Sequence, residues 1–108
     1  MAAPTIPARL LEQAQTRPNA PAYHVRGDNG WEPTNWAGYA TNVRRVAASL
    51  IASGVESGQV VCILGNNRPE WVEMDLGAMC INVIPAGIYQ TCSAEEIAYI
   101  LNHSEAPI

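Results

Sequence analysis

The apolar positions of the chain change their period several times, and each change marks an element. Ile6, Leu10, Leu11 and Ala14 recur at helical spacing behind Thr5 and Pro7, which suit a capped first turn, and Pro18 closes the segment. Ala22 to Arg26 and Trp31 to Thr34 are short runs rich in Tyr, Val and Trp. The four residues between them, Gly27, Asp28, Asn29 and Gly30, predict a hairpin with a four-residue loop. Trp36, Tyr39, Ala40, Val43, Val46, Ala47, Leu50 and Ile51 are spaced by three and four throughout. They predict a longer helix, capped by Asn35 and closed by Gly54, where a residue without a β-carbon takes the left-handed conformation.

The period then breaks. Val60, Val61, Cys62, Ile63 and Leu64 are apolar without alternation, so the strand they predict has both faces buried. Gly65 to Pro69 make the turn into a helix from Glu70 to Asn82, with Pro69 near its first position. Val83 to Ile88, interrupted by Pro85 and Gly87, read as a second strand. Ser93 with Glu96 is a capping box opening a last helix, whose apolar side is Ile97, Ala98 and Leu101. The order is helix, hairpin, long helix, then strand, helix, strand, helix and the start of a further strand at Ala106 to Ile108. That alternation predicts an α/β fold with a parallel sheet. Two strands and part of a third leave an unpaired edge, so residues 1–108 are expected to form the amino-terminal portion of a larger parallel-sheet domain, with no complete second domain.

Composition narrows the classes. The chain has 108 residues, 48% of them hydrophobic, which fits one soluble core and excludes a disordered tail, a collagen-like repeat and a coiled coil. Its net charge is −4, all six basic residues are Arg, and the residues after Arg68 carry only acids. Nucleic-acid binding is not expected, because only Arg44 and Arg45 are adjacent, and that pair reads as a solvated helix face. Cys62, Cys80 and Cys92 have no CxxC spacing and no leader precedes them, which points to a reducing, cytoplasmic setting without a metal site. No apolar run approaches the roughly 20 residues of a membrane span, so no transmembrane segment is expected.

Chemistry is sparse in the residues themselves. Neither GxGxxG nor GxxxxGK[ST] occurs, and the turn Gly65 to Pro69 reads as a strand-to-helix connection whose helix is favoured by Glu70 and Glu73 at its positive end. Glu95 and Glu96 read the same way in the last helix. There is no GxSxG, His24 reads as a surface residue of the hairpin, Cys62 as a small core residue, and Cys92 as a partly exposed thiol. Trp71 and Met74 share one side of their helix, Met79 another, and all three read as packing. No catalytic residue is assigned.

The stretch NNRPEW followed by DLGAMCINVIPAGIYQTCSAEEIAYIL, Asn66 to Leu101, resembles the adenylate-forming (AMP-binding) enzymes, in particular long-chain fatty-acid CoA ligases. WEPTNWAGYATNVRRVAASLIASGVESGQVVCILG, Trp31 to Gly65, is similar to that family's hairpin, long helix and first parallel strand, and ARLLEQAQTRPNAPAY to its first helix. The resemblance implies ligase chemistry: a carboxylate attacks the α-phosphate of ATP to give an acyl adenylate and pyrophosphate, and the thiol of CoA takes the acyl group. Magnesium accompanies the ATP, and a fatty acid is the implied substrate. The family's phosphate-cradling loop with its Lys, its metal motif and its carboxy-terminal Lys all lie beyond Ile108. The chain by itself, without a single Lys, is therefore expected to bind no cofactor productively and to be inactive. The resemblance also implies that the loop Tyr89, Gln90 and Thr91 borders the nucleotide end of CoA, with Tyr89 available to stack on adenine. The expected partners are the remainder of the enzyme or a second copy, met through the exposed sheet edge. The rival reading is a stand-alone α/β interaction or dimerisation module.

Overall fold

The computed structural model describes residues 4–108. Helix α1 (Ile6–Thr16) starts at Thr5, whose Oγ1 accepts a hydrogen bond from the Ala8 N–H at 3.2 Å. Only Leu10 of its apolar residues is buried. Ile6, expected on the same face, is 62% exposed, because the neighbouring elements reach the second and third turns of the helix and not its first.

The hairpin is β1 (Pro21–Gly27) and β2 (Gly30–Asn35), antiparallel, and it pairs Gly27 with Gly30. Its loop is therefore the two residues Asp28 and Asn29 and not four, since the glycines close the ladder. Gly30 takes φ 111° while Asp28 and Asn29 stay at negative φ, so one glycine supplies the backbone reversal that a mirror-image turn spreads over two residues.

Helix α2 (Trp36–Ala52) is capped as expected, the Asn35 Oδ1 accepting from the Gly38 N–H at 2.8 Å. Strand β3 (Val60–Leu64) leads to α3 (Pro69–Cys80), β4 (Ile84–Ile88) runs parallel to β3, and α4 (Ala94–Ser104) follows. The register pairs Val60 with Ile84 and Leu64 with Ile88.

Helices α2 and α3 end by the same device. Past α2, the Val55 N–H reaches the Leu50 carbonyl and Gly54, at φ 88°, reaches Ile51. Past α3, the Val83 N–H reaches the Ala78 carbonyl and Asn82, at φ 57°, reaches Met79. In each case the two residues flanking the cap, Leu50 with Val55 and Ala78 with Val83, enter one apolar cluster together with Val61. This explains why α3 stops at Cys80, short of the expected Asn82: asparagine tolerates the left-handed conformation and turns the chain directly into β4. The two turns are then tied together, the Asn82 Nδ2 donating to the Ser57 Oγ and the Gly58 N–H to the Asn82 carbonyl at 2.8 Å.

The second cluster joins Leu10, Ala40, Val43 and Leu76, so α2 and α3 supply both halves of the core. They can do so because Gly77 has no side chain. A β-carbon there would lie 2.6 Å from the Val46 Cγ1 and 3.2 Å from the Ala47 backbone nitrogen. Ile51, expected on the buried face of α2, is 60% exposed, since that face is used up by Val43, Ala47 and Leu50.

Strand β3 departs from expectation on one side. Val61 and Ile63 are buried against the helices, whereas Val60 and Cys62 are half-buried and Leu64 is 51% exposed. Cys62 is thus not a core residue; its Sγ lies 3.7 Å from the Ser104 Oγ on α4. The capping box of α4 is complete, with the Glu96 N–H donating to Ser93 Oγ and the Ser93 N–H to Glu96 Oε2. Yet α4 buries none of its residues: Ile97, Ile100 and Leu101 are half-buried, and Ala98, expected on the apolar side, is exposed. Residues after α4 form no strand, but the Ile108 carbonyl accepts the Cys62 N–H at 2.9 Å and so lies along the free edge of β3.

Replacing Gly77 with Ala is expected to cost about 1–3 kcal/mol in urea denaturation, since overpacking acts here partly against backbone. Val46→Ala in the same chain is expected to recover part of that loss, which a double-mutant cycle measures as a favourable coupling. Additive losses would show that the helices do not touch at this point.

Candidate functional site

Parallel strands bring their carboxyl ends to one side of a sheet, and the loops leaving them make a natural crevice. Here β3 exits through Gly65, Asn66 and Asn67, and β4 exits through Tyr89, Gln90 and Thr91. Between them lies a cavity of about 650 Å³ lined by Gly65, Asn67, Trp71, Val72, Gly87 and Ile88 together with the three residues of the second loop. The three residues singled out in the sequence therefore stand together at this crevice.

Each of them has a distinct setting. The Tyr89 ring is 82% exposed, an aromatic surface without a packing partner, at the rim. Gln90 is exposed, and its Nε2 donates to the Gly65 carbonyl at 2.8 Å, which fastens the two exit loops to each other. The floor is set by Gly87 and Trp71: a β-carbon on Gly87 would come within 2.9 Å of the Trp71 Cζ2. Trp71 thus packs, as expected, but it packs into the crevice wall.

A second cavity of about 460 Å³ lies between the hairpin and the start of α3, lined among others by His24, Arg26, Trp31, Tyr39 and Arg68. It shares Asn67 and Val72 with the first. Sequence reasoning did not find it, because no local pattern says where a hairpin will lean. Its position is fixed by Glu73. That carboxylate does not serve the positive end of α3 as expected; Glu70 alone occupies the first turn. One oxygen of Glu73 instead accepts from the Asn42 Nδ2 of α2 at 3.1 Å and from the Tyr23 hydroxyl of β1 at 3.4 Å. Burial raises the Tyr23 and Tyr39 phenols above their ordinary value, with the Glu73 carboxylate adding to both. The rings of Tyr23 and Tyr39 meet edge to face at 5.2 Å, so a polar bond and an aromatic contact hold the hairpin against α2 and α3.

The remaining candidates carry little chemistry. His24, Arg44 and Arg45 are exposed, as the sequence implied. The Cys92 thiol is half-buried and is raised above its usual value by desolvation and by Glu96, the opposite of what an activated nucleophile requires. The Cys80 thiol is likewise raised by burial, against the opposing charge of Arg44. Among the described residues no three His, Cys, Asp or Glu side chains gather as a metal site would need, and no helix is long and apolar enough to cross a membrane.

An α/β fold with a crevice at the carboxyl ends of a parallel pair belongs to the broad class that binds small molecules there. Comparison with known proteins makes the class specific. The family described as AMP-binding enzyme matches residues 10–108, and the chain belongs to that family. The long-chain-fatty-acid–CoA ligase FadD15 of Mycobacterium bovis is 30% identical over 103 residues, covering 95% of this chain and 17% of the ligase. The long-chain-fatty-acid–CoA ligase ACSBG2 of Mus musculus is 34% identical over 104 residues, covering 96% of this chain and 16% of that protein. The chain therefore spans about a sixth of the length of these relatives. Among solved structures, the N-terminal domain of FACL13 from Mycobacterium tuberculosis superposes with a TM-score of 0.89 at 24% identity, over 98% of this chain and 26% of that one. A Mycobacterium tuberculosis fatty acyl CoA synthetase superposes with a TM-score of 0.85 at 25% identity, over 94% of this chain and 20% of that one. The fold is accordingly that of the amino-terminal part of adenylate-forming enzymes.

Glu73→Ala is expected to leave Tyr23 and Asn42 without their shared acceptor and to loosen the hairpin. Tryptic cleavage after Arg26 should accelerate about five- to thirtyfold, the equivalent of roughly 1–2 kcal/mol of local stability, with little change in cleavage after Arg45. Equal rates in both chains would show that Glu73 does not hold the hairpin.

Proposed function

We propose that residues 1–108 form the amino-terminal part of the large domain of an AMP-forming acyl-CoA ligase acting on fatty acids. The observation that carries this is the match of residues 10–108 to the AMP-binding family, with fatty-acyl ligases covered over about a sixth of their length. The complete enzyme would couple a carboxylate to ATP and pass the acyl group to CoA.

This part supplies scaffold and one edge of a binding site. Its residues do not fit magnesium and the ATP phosphates: there is no Lys in the sequence, and no acidic or histidine cluster among the described residues. No chemical step is assigned to them. They do fit the nucleotide end of CoA at Tyr89, Gln90 and Thr91. An exposed ring at a rim, on a loop fixed by the bond from Gln90 to Gly65, offers a stacking surface that costs little to order. The partner of the chain is the remainder of the ligase, seated along the free edge of β3 and over its half-open face. A second reading, a self-pairing module, draws on the exposed Leu64 and Ile84 of that same face, which are 51% and 55% accessible.

Incubated with a fatty acid, ATP, magnesium and CoA, the chain alone is expected to release no pyrophosphate above background; release would contradict its reading as an incomplete enzyme. CoA is expected to bind weakly by calorimetry, and Tyr89→Ala to weaken it about 5- to 150-fold, the range of roughly 1–3 kcal/mol for one aromatic-base stack. Unchanged affinity in that variant would remove the loop from the site. A stable dimer by size exclusion, without CoA binding, would favour the module.

A further inference from the structure

We propose that the hairpin tip is a self-modification site, in which Asn29 cyclises onto the Gly30 nitrogen as the hairpin opens and the isoaspartate that results releases the two-residue turn. Asn29 is alone among the asparagines in preceding a glycine; the others precede Ala, Trp, Val, Asn, Arg or His. The chemistry depends on that neighbour. The deprotonated Gly30 nitrogen attacks the Asn29 Cγ, a C–N bond forms, and the side-chain nitrogen leaves as ammonia. Water then opens the cyclic imide at one of its two carbonyls. Cleavage at the side-chain carbonyl gives aspartate, and cleavage at the main-chain carbonyl gives isoaspartate. A side chain on the following residue crowds the attack, and Gly30 has none: a β-carbon built there would meet no atom within 4 Å.

The reacting groups are accessible. Asp28, Asn29 and Gly30 are all exposed, and the Asn29 side chain makes no hydrogen bond among the described residues. Other asparagines are engaged: the Asn35 Oδ1 accepts from the Gly38 N–H at 2.8 Å, and the Asn42 Nδ2 donates to Glu73 at 3.1 Å. What restrains Asn29 is the ladder. Gly27 pairs with Gly30 at its end, so the Gly30 nitrogen is free to close the ring only when that pair opens. A two-stranded ribbon is marginal by itself, and most of β1 and β2 is exposed. The Tyr23–Glu73 bond ties this ribbon to α3. The rate of cyclisation therefore follows how firmly that tie holds the hairpin.

The product does not fit the turn that formed it. Isoaspartate carries the main chain through one extra carbon, in a hairpin whose register depends on a loop of two residues. It also sets a new carboxylate beside Asp28, at a turn where the Glu32 carboxylate already lies within 3.0 Å of the place a Gly27 β-carbon would take. Like charges so close disfavour the paired strands. The open hairpin tolerates both changes, so the modification is a one-way release of the hairpin tip.

The test ages the full chain in mildly alkaline buffer and maps it by mass spectrometry. Trypsin gives residues 27–44 as one peptide, in which Asn35 and Asn42 serve as internal controls. An acid is expected in place of the amide at Asn29 and at neither control. The intact aged chain is expected to accept methyl groups from an isoaspartate-specific methyltransferase, and Asn29→Gln to abolish that. Tyr23→Phe, which keeps the ring and removes the hydroxyl, is expected to speed conversion about fivefold, the equivalent of about 1 kcal/mol of easier opening. Cleavage of the folded chain after Arg26 is expected to rise about tenfold on ageing, the equivalent of about 1.4 kcal/mol of local stability, with cleavage after Arg45 unchanged. An intact amide at Asn29, or equal conversion at Asn35 and Asn42, would overturn the site. Equal conversion rates with and without the Tyr23 hydroxyl would overturn its control by the hairpin, and unchanged cleavage after Arg26 would overturn the release.

Discussion

Two helices come into backbone contact where one of them has no side chain to interpose, and Gly77 is that place. It lets α3 settle against Val46 and Ala47 of α2 so closely that the pair contributes to both apolar clusters, Leu50 and Ala78 on one side, Val43 and Leu76 on the other. Dispersion depends steeply on separation, so a contact of this kind holds its geometry within a few tenths of an ångström. The sheet inherits that precision. Val61 and Ile63 lie on the helices, the caps at Gly54 and Asn82 deliver the chain into β3 and β4, and the strands end together at the crevice.

Away from the helices the order of the fold thins out. Leu64 and Ile84 remain half-exposed and no residue of α4 is buried, although its capping box is complete. Good local capping and poor packing coexist there because a cap satisfies backbone groups at one helix end, whereas burial requires a surface to lie against. Pro85 removes one donor from β4, so that strand is poorly suited to a neighbour on every position of its outer edge, while β3 already accepts one bond partner in Ile108. The surface left over is apolar, parallel in strand direction and continuous with α4. The chain spans about a sixth of the length of its ligase relatives.

The elements were legible wherever the signal was local. The Asn35 cap, the spacing from Trp36 to Leu50, the Ser93–Glu96 box and Pro69 at the start of α3 all act within one or two turns, and each was readable from neighbouring residues. What failed depended on distance. Ile6, Ile51 and Ala98 match their helical stripes, but nothing reaches those turns to bury them. The unbroken run Val60 to Leu64 implies two covered faces, and the face bearing Val60, Cys62 and Leu64 is only partly covered within this chain. Asn82 ends α3 early by a left-handed turn that apolar periodicity does not encode. Glu73 looked like a helix-end acid and proved to be a tie between three elements. The loop Tyr89 to Thr91 stands out only through family resemblance; the residues themselves give no hint that Gln90 clasps Gly65.

Helices α2 and α3 with strand β3 form the rigid body on which hairpin, crevice and α4 are hung. Native-state hydrogen exchange of the backbone amides tests it directly. The slowest amides are expected at Val43 to Leu50, Leu76 to Ala78, Val61 and Ile63, exchanging only on global unfolding, with those of α4 opening far more easily. Protection of α4 equal to that of α2 and α3, or no slow set around Gly77, would contradict it.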